Sequence, residues 1–98
     1  METIPHESDL SDLEQTTLLR VIVYLSMKGK ASISDMKNNI HGSQGAIYRA
    51  RDLLVKHKLV EKGLPEGSAR RVDHWLTEKG KKFVPLIMKM TKILSEDS

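Results

Sequence analysis

With 98 residues, 39% of them apolar and 30% charged, the chain has the size of one domain and a composition that excludes wholesale disorder or a membrane-embedded protein. The absence of cysteine excludes disulfides, thiol catalysis and Cys-based zinc sites. The net charge of +3 conceals −5 on residues 1–14, from Glu2, Glu7, Asp9, Asp12 and Glu14, and +8 on the rest, a basic body suited to an anionic partner such as nucleic acid.

The longest apolar run, Val21 to Leu25, is far short of the about 20 residues a membrane span needs. The opening Met1-Glu2-Thr3-Ile4-Pro5 lacks the basic and apolar regions of a secretory signal, so a soluble cytoplasmic protein with no membrane partner is expected. Residues 1–8 and 95–98 are expected to be flexible ends of a single domain over 1–98. Ser11-x-x-Glu14 reads as a capping box opening a helix to about Met27, with Asp9 or Asp12 as other possible caps. Leu13, Leu18, Leu19, Val21, Ile22, Val23 and Leu25 point in nearly every direction on that helix, which predicts burial on two sides.

A short extended stretch at 31–33 precedes Ser32-x-x-Asp35, a second helix start, with Met36 and Ile40 facing inward and His41-Gly42 stopping it. Ser43 then caps a longer helix, Gln44 to about Lys58, whose inner face is Ile47, Ala50, Leu53 and Leu54. Two helices joined by a Gly-containing turn make residues 32–58 a helix-turn-helix candidate. Segments 59–64 and 70–76, separated by Pro65-Glu66-Gly67-Ser68-Ala69, read as a hairpin, the wing at 59–76. Thr77-Glu78 starts a last helix, 77–94, whose apolar positions cover roughly 220° of the wheel. Pro85 removes one N–H and clashes with the carbonyl of Lys81, which predicts either a kink near 80–85 or a separate helix beginning near Val84 with Pro85 in its first turn.

Ser32-Ile33-Ser34-Asp35-Met36, Ser43-Gln44-Gly45-Ala46-Ile47-Tyr48-Arg49, Leu59-Val60-Glu61-Lys62 and Leu76-Thr77-Glu78-Lys79-Gly80, in this order, resemble the winged helix-turn-helix transcriptional regulators of the MarR and PadR type. The resemblance covers about residues 15–95. It implies an α+β, mainly helical winged helix with a three-helix core, a two-stranded wing and a C-terminal dimerisation helix, binding duplex DNA as a dimer. Arg51 departs from the pattern, standing where these families usually carry leucine. A lone charge there is costly, so either the helix rotates slightly to bury Ala50 and Leu54, or Arg51 finds a carboxylate beyond Asp52, which is too close in sequence to face it squarely.

Ser43, Gln44, Ala46, Tyr48 and Arg49 occupy the start and outward side of the candidate recognition helix, where base edges are met. Gln44 suits adenine, and Arg49 suits guanine or phosphate. Arg70 and Arg71 follow the wing's turn and suit a narrow minor groove or phosphate, with Lys30, Lys37 and Lys56 as further phosphate contacts. Phe83, Ile87, Met90 and Leu94 follow the 4-3-4 spacing of a helix seam, widened by Leu86 and Ile93, which predicts a homodimer with half-sites about 34 Å apart. Trp75 alternates with Val72, His74 and Leu76 and is expected on the opposite face of its strand.

No nucleophile, acid or base set with recognisable context points to an enzyme, and no cofactor is implied. His41, His57, His74 and Asp73 are conceivable metal ligands, but lone histidines are far more often packed or exposed, so no metal is expected. The rival reading is a winged helix that serves as a protein-interaction subunit of a larger assembly, and RNA remains a second polymer that basic charge would suit. A pocket between the first and last helices is conceivable, with no mark of a small-molecule effector.

Overall fold

A computed structural model describes residues 4–15, 17–64 and 72–97. These form α1 (Glu7–Leu13), α2 (Leu18–Lys28), β1 (Ala31–Ser32), α3 (Ile33–Asn39), α4 (Gln44–Lys56), β2 (Val60–Gly63), β3 (Asp73–Leu76), α5 (Glu78–Lys81) and α6 (Phe83–Leu94). The expected α+β, mainly helical winged helix is the observed fold, and the short extended stretch expected at 31–33 forms β1, a third strand in the sheet of the hairpin. β1 pairs antiparallel with β3 through Ala31↔His74, and β3 pairs antiparallel with β2 through Val60↔Leu76 and Lys62↔His74, giving the order β1-β3-β2. β3 therefore lies in the middle of the sheet, and whatever its side chains hold is fixed from both edges.

The helix starts follow local hydrogen-bond chemistry. Ser32 Oγ accepts from Asp35 N–H at 3.1 Å while Asp35 Oδ2 accepts from Ser32 N–H at 3.0 Å, the reciprocal box read from the sequence. Ser43 Oγ accepts from Ala46 N–H at 3.1 Å, and Thr77 Oγ1 from Gly80 N–H at 3.0 Å. α4 stops two residues earlier than expected because Lys58 takes a left-handed φ of 63°. The amides of Lys58 and Leu59 then bond back to the carbonyls of Val55 and Leu54, closing the last turn.

The expected single helix from Ser11 to Met27 is two helices. Ser11 sits inside α1, which starts at Glu7 with no side-chain cap, so residues 7 and 8 are helical rather than part of a loose end. Thr17, before α2, takes φ 83°, a left-handed conformation that costs a β-branched residue about 1–3 kcal/mol. Its buried hydroxyl has no hydrogen-bond partner and packs on Gly42, where an added Cβ would stand 2.7 Å from it. α1 lies across the end of α4, where Asp12 meets His57.

α2 is buried on more than one side, as its pattern predicted, with Leu18, Val21, Ile22 and Leu25 packed against α4, β3 and α6. Ala31, Met36, Ile40, Ile47, Ala50, Leu54, Leu59, Val60, Leu76 and Ile87 complete the core. Leu53, assigned to the inner face of α4, is half-buried. At Pro85 the chain follows the second of the two expected routes. α5 ends at Lys81, and α6 begins at Phe83 with Pro85 in its first turn, where an amide hydrogen would lack an intrahelical partner in any case. No helix among the described residues is long and apolar enough to cross a membrane.

Candidate nucleic-acid interface

The inward positions of α4, Ile47, Ala50 and Leu54, orient the rest of the helix. Ser43, Gln44 and Arg49 are exposed, and Ala46 and Tyr48 are half-buried beside them. Lys37 comes from α3 to place its Nζ 5.8 Å from the Tyr48 ring centroid, and Arg51 Cζ stands 5.4 Å from the same ring. Tyr48 is thus gripped by two cations from two helices, a stabilising arrangement for an aromatic ring. The fold gathers Ser43, Gln44, Ala46, Tyr48, Arg49 and Lys37 at one end of the helix-turn-helix.

The other expected contacts lie elsewhere. Lys56 is at the far end of α4, about 18 Å along the helix from Gln44, with its Nζ 3.8 Å from Asp12. Lys30 lies over the Trp75 ring at 5.7 Å, on the opposite face of β3 from His74 as the strand alternation predicted. Arg70 and Arg71 fall outside the described residues, as does Glu66.

Arg51 corrects the sequence reading. Asp52 is not too close to pair with it, since Arg51 Nε donates to Asp52 Oδ1 at 2.6 Å. This pairing partly neutralises the one carboxylate on the outward face of α4. Arg51 also has the distant partner that the sequence left unnamed, because its Nη1 stands 3.3 Å from Nε2 of His74 on β3. His74 is 1% exposed, and its Nδ1 is 3.0 Å from the carbonyl of Ala31 on β1. A carbonyl only accepts, so Nδ1 carries the hydrogen and Nε2 offers its lone pair to the guanidinium. Burial, reinforced by the nearby Arg51 and Lys62 charges against the opposing pull of Ala31 and Asp73, holds His74 below its ordinary value.

A second histidine ties α1 to the other end of α4. His57 Nε2 is 2.7 Å from Asp12 Oδ2, and this hydrogen bond, with Lys56 adding charge, holds Asp12 below the usual carboxylate range. The depressed carboxyl means that the α1 anchor is complete above Asp12's ordinary value of 3.8 and is lost as pH falls through its lowered one. Asp12→Asn is expected to speed amide exchange in α1 severalfold while leaving α2 unchanged. Equal α1 rates would show that Leu10 and Leu13 hold the helix instead. Beneath this link, α1, α4 and the start of α6 border a partly open cavity of about 230 Å³ lined by Leu13, Leu18, Leu54 and Phe83. Among the described residues no three His, Asp or Glu side chains gather as a metal site.

α6 carries the residues of the expected dimer seam. Ile87 is 5% exposed and belongs to the core of the chain itself, and Phe83 is half-buried against the same core. Leu86, Met90 and Ile93, at 57%, 50% and 54% exposure, form a continuous outward stripe at 4-3 spacing, with Leu94 beside it.

No protein-family profile matches the chain, and no curated protein matches it in sequence. Solved structures do match. The chain superimposes with a TM-score of 0.77 on the reduced form of the transcriptional regulator YodB from B. subtilis, at 24% identity over 94% of this chain and 90% of that one. It superimposes with a TM-score of 0.75 on a putative MarR family transcriptional regulator from Porphyromonas gingivalis, at 20% identity over 99% of this chain and 100% of that one. A MarR mutant from E. coli complexed with operator DNA aligns at a TM-score of 0.63 and 24% identity, over 74% of this chain and 53% of its own length. The three-helix core and the three-stranded sheet are thus those of the winged helix-turn-helix fold of MarR-type transcriptional regulators, to which this chain is similar.

Proposed function

We propose that this protein is a homodimeric transcriptional regulator that binds duplex DNA sequence-specifically, with α4 in the major groove and residues 65–71 on the minor groove or backbone. The observation that carries the reading is the start of α4, where Gln44 and Arg49 are exposed and Lys37 stands over the half-buried Tyr48 ring. It occurs on a fold shared with a regulator that was crystallised on its operator. Gln44 and Arg49 read base edges, Ser43 and Lys37 hold phosphates, and Arg70 and Arg71 grip beside the wing. The Leu86-Met90-Ile93 stripe supplies the second copy's contact, since three half-exposed apolar side chains in a row gain from leaving water together.

Fluorescence anisotropy with random-sequence duplex across a salt series tests this reading. A dimer that neutralises about 6 to 10 phosphates gives a slope of log affinity on log salt of roughly −5 to −9. Lys37→Ala with Arg49→Ala, and separately Arg70→Ala with Arg71→Ala, are expected to make it shallower. A steep slope unchanged in the second pair keeps DNA and removes the wing from the contact. No binding at low salt overturns the DNA reading and leaves the protein-interaction subunit, for which the α6 stripe would be the docking face.

A further inference from the structure

We propose that His74 is a proton-sensitive coupler between the central strand and the recognition helix, holding Arg51 and through it Tyr48 in place when neutral and releasing them in acid. Its consequence for DNA rests on the proposed function, whereas the structural coupling does not.

The imidazole lies between a group that only accepts, the Ala31 carbonyl at 3.0 Å, and a group that only donates, the Arg51 guanidinium at 3.3 Å. The neutral ring with hydrogen on Nδ1 satisfies both, and no other protonation state does. A second proton on Nε2 would face the guanidinium, turning a hydrogen bond into a contact between two cations at a nearly solvent-free position. Charges on the surrounding elements do not cancel that repulsion evenly. Lys62 of β2 pairs in register with His74 and adds to it, Asp73 adjoins on β3, Asp35 of α3 is committed to its capping box, and Asp52 binds the far side of Arg51.

Arg51 is the partner that yields. His74 sits on a strand paired at both edges. Arg51 is on the wall of an open cleft of about 700 Å³, bounded by Ser32, Asp35, Lys62 and Leu64, with room to swing into it. Leaving His74 takes Arg51 from the Tyr48 ring, which then keeps Lys37 alone. Arg51 and His74 are thus positioning residues for the outward face of α4. The sign follows from the same geometry. His74 is held below its ordinary value of 6.5, so its contribution is complete above that pH and is lost as pH falls through the lowered value.

The test is a pH titration of the free protein by NMR with ¹⁵N-labelled histidine. The expected result is a His74 ring in the Nδ1–H form at neutral pH that ionises below its ordinary value of 6.5, with the amides of residues 47–52 and the Tyr48 ring shifting at the same midpoint. In Arg51→Met, which leaves the strand untouched, those α4 shifts should lose their pH dependence and His74 should ionise at higher pH. A His74 that is Nε2–H at neutral pH or ionises at or above 6.5, or α4 shifts identical in the variant, overturns the coupler. On DNA, wild-type Kd is expected to rise about tenfold as pH falls from about 7.5 through the midpoint of the His74 titration, with no rise in His74→Gln, whose amide oxygen still accepts from Arg51. Protonation of the exposed histidines would strengthen phosphate attraction, so it works against this result rather than producing it. Coincident profiles for wild type and His74→Gln overturn the functional half. Absence of DNA binding at every pH counts against the proposed function, and the NMR titration alone then decides the coupler.

Discussion

Gly80→Ala is expected to lower the midpoint of thermal unfolding by about 10–20 °C. In most helices this exchange stabilises by about 1 kcal/mol, because alanine restricts the unfolded chain more than glycine does. Here a Cβ would stand 2.1 Å from the Leu59 carbonyl oxygen and 3.0 Å from its carbon. These are backbone atoms, so no side chain can rotate away. The same carbonyl accepts the Thr77 amide at 3.0 Å, and Thr77 Oγ1 donates to the Lys58 carbonyl at 2.7 Å. Relieving the clash therefore separates the end of α4 from the start of α5 and breaks these bonds. Overpacking of about 1–3 kcal/mol together with a lost hydrogen bond outweighs the propensity gain. A circular dichroism melt decides it, and a midpoint within about 2 °C of wild type would show that the Leu59 backbone retreats freely.

Met90→Glu combined with Ile93→Glu is expected to convert a dimer into a monomer of 11.1 kDa and to weaken DNA binding by about 100-fold or more. Both side chains are half-exposed in the subunit, so charge there costs the isolated fold little. Burying two carboxylates across a symmetric seam would be costly, because each copy would bring the same charges to the same place. Once the halves separate, the second recognition helix no longer binds as an intramolecular event, which is the source of the affinity loss. Sedimentation equilibrium gives the mass, and a wild type already at 11.1 kDa at micromolar concentration would remove the dimer from the proposal. A variant that stays dimeric would place the seam off the Leu86-Met90-Ile93 stripe.

Much of the architecture was legible in short windows of sequence. Ser32, Ser43 and Thr77 announce helix starts because a side-chain oxygen reaches an amide three residues on, a contact that needs no tertiary help. Pro85 limits the last helix to two routes, and the crowding of apolar residues around α2 foretells a helix buried on several sides. The exposed start of α4 follows from the period of Ile47, Ala50 and Leu54. The same local logic failed at Ser11. A capping box there is sound chemistry, but the chain bends at Thr17 and accepts a strained φ, and the bend places Asp12 against His57, 45 residues away.

Pattern and spacing settled which segments are helix or strand and which face of each is apolar, because those depend on dihedral preferences and side chains within a turn or two of one another. Contacts between distant segments lay beyond them. Arg51 was marked as a charge in need of a partner, yet that partner proved to be a buried histidine 23 positions away, brought within reach only when β3 takes the centre of the sheet between β1 and β2. Likewise the choice of Ile87 for the subunit's own core, leaving Leu86, Met90 and Ile93 outside, depends on how α6 rolls against α2. A periodic stripe gives the angles between side chains along a helix but carries no reference to what lies opposite, and that reference exists only after the helices have packed.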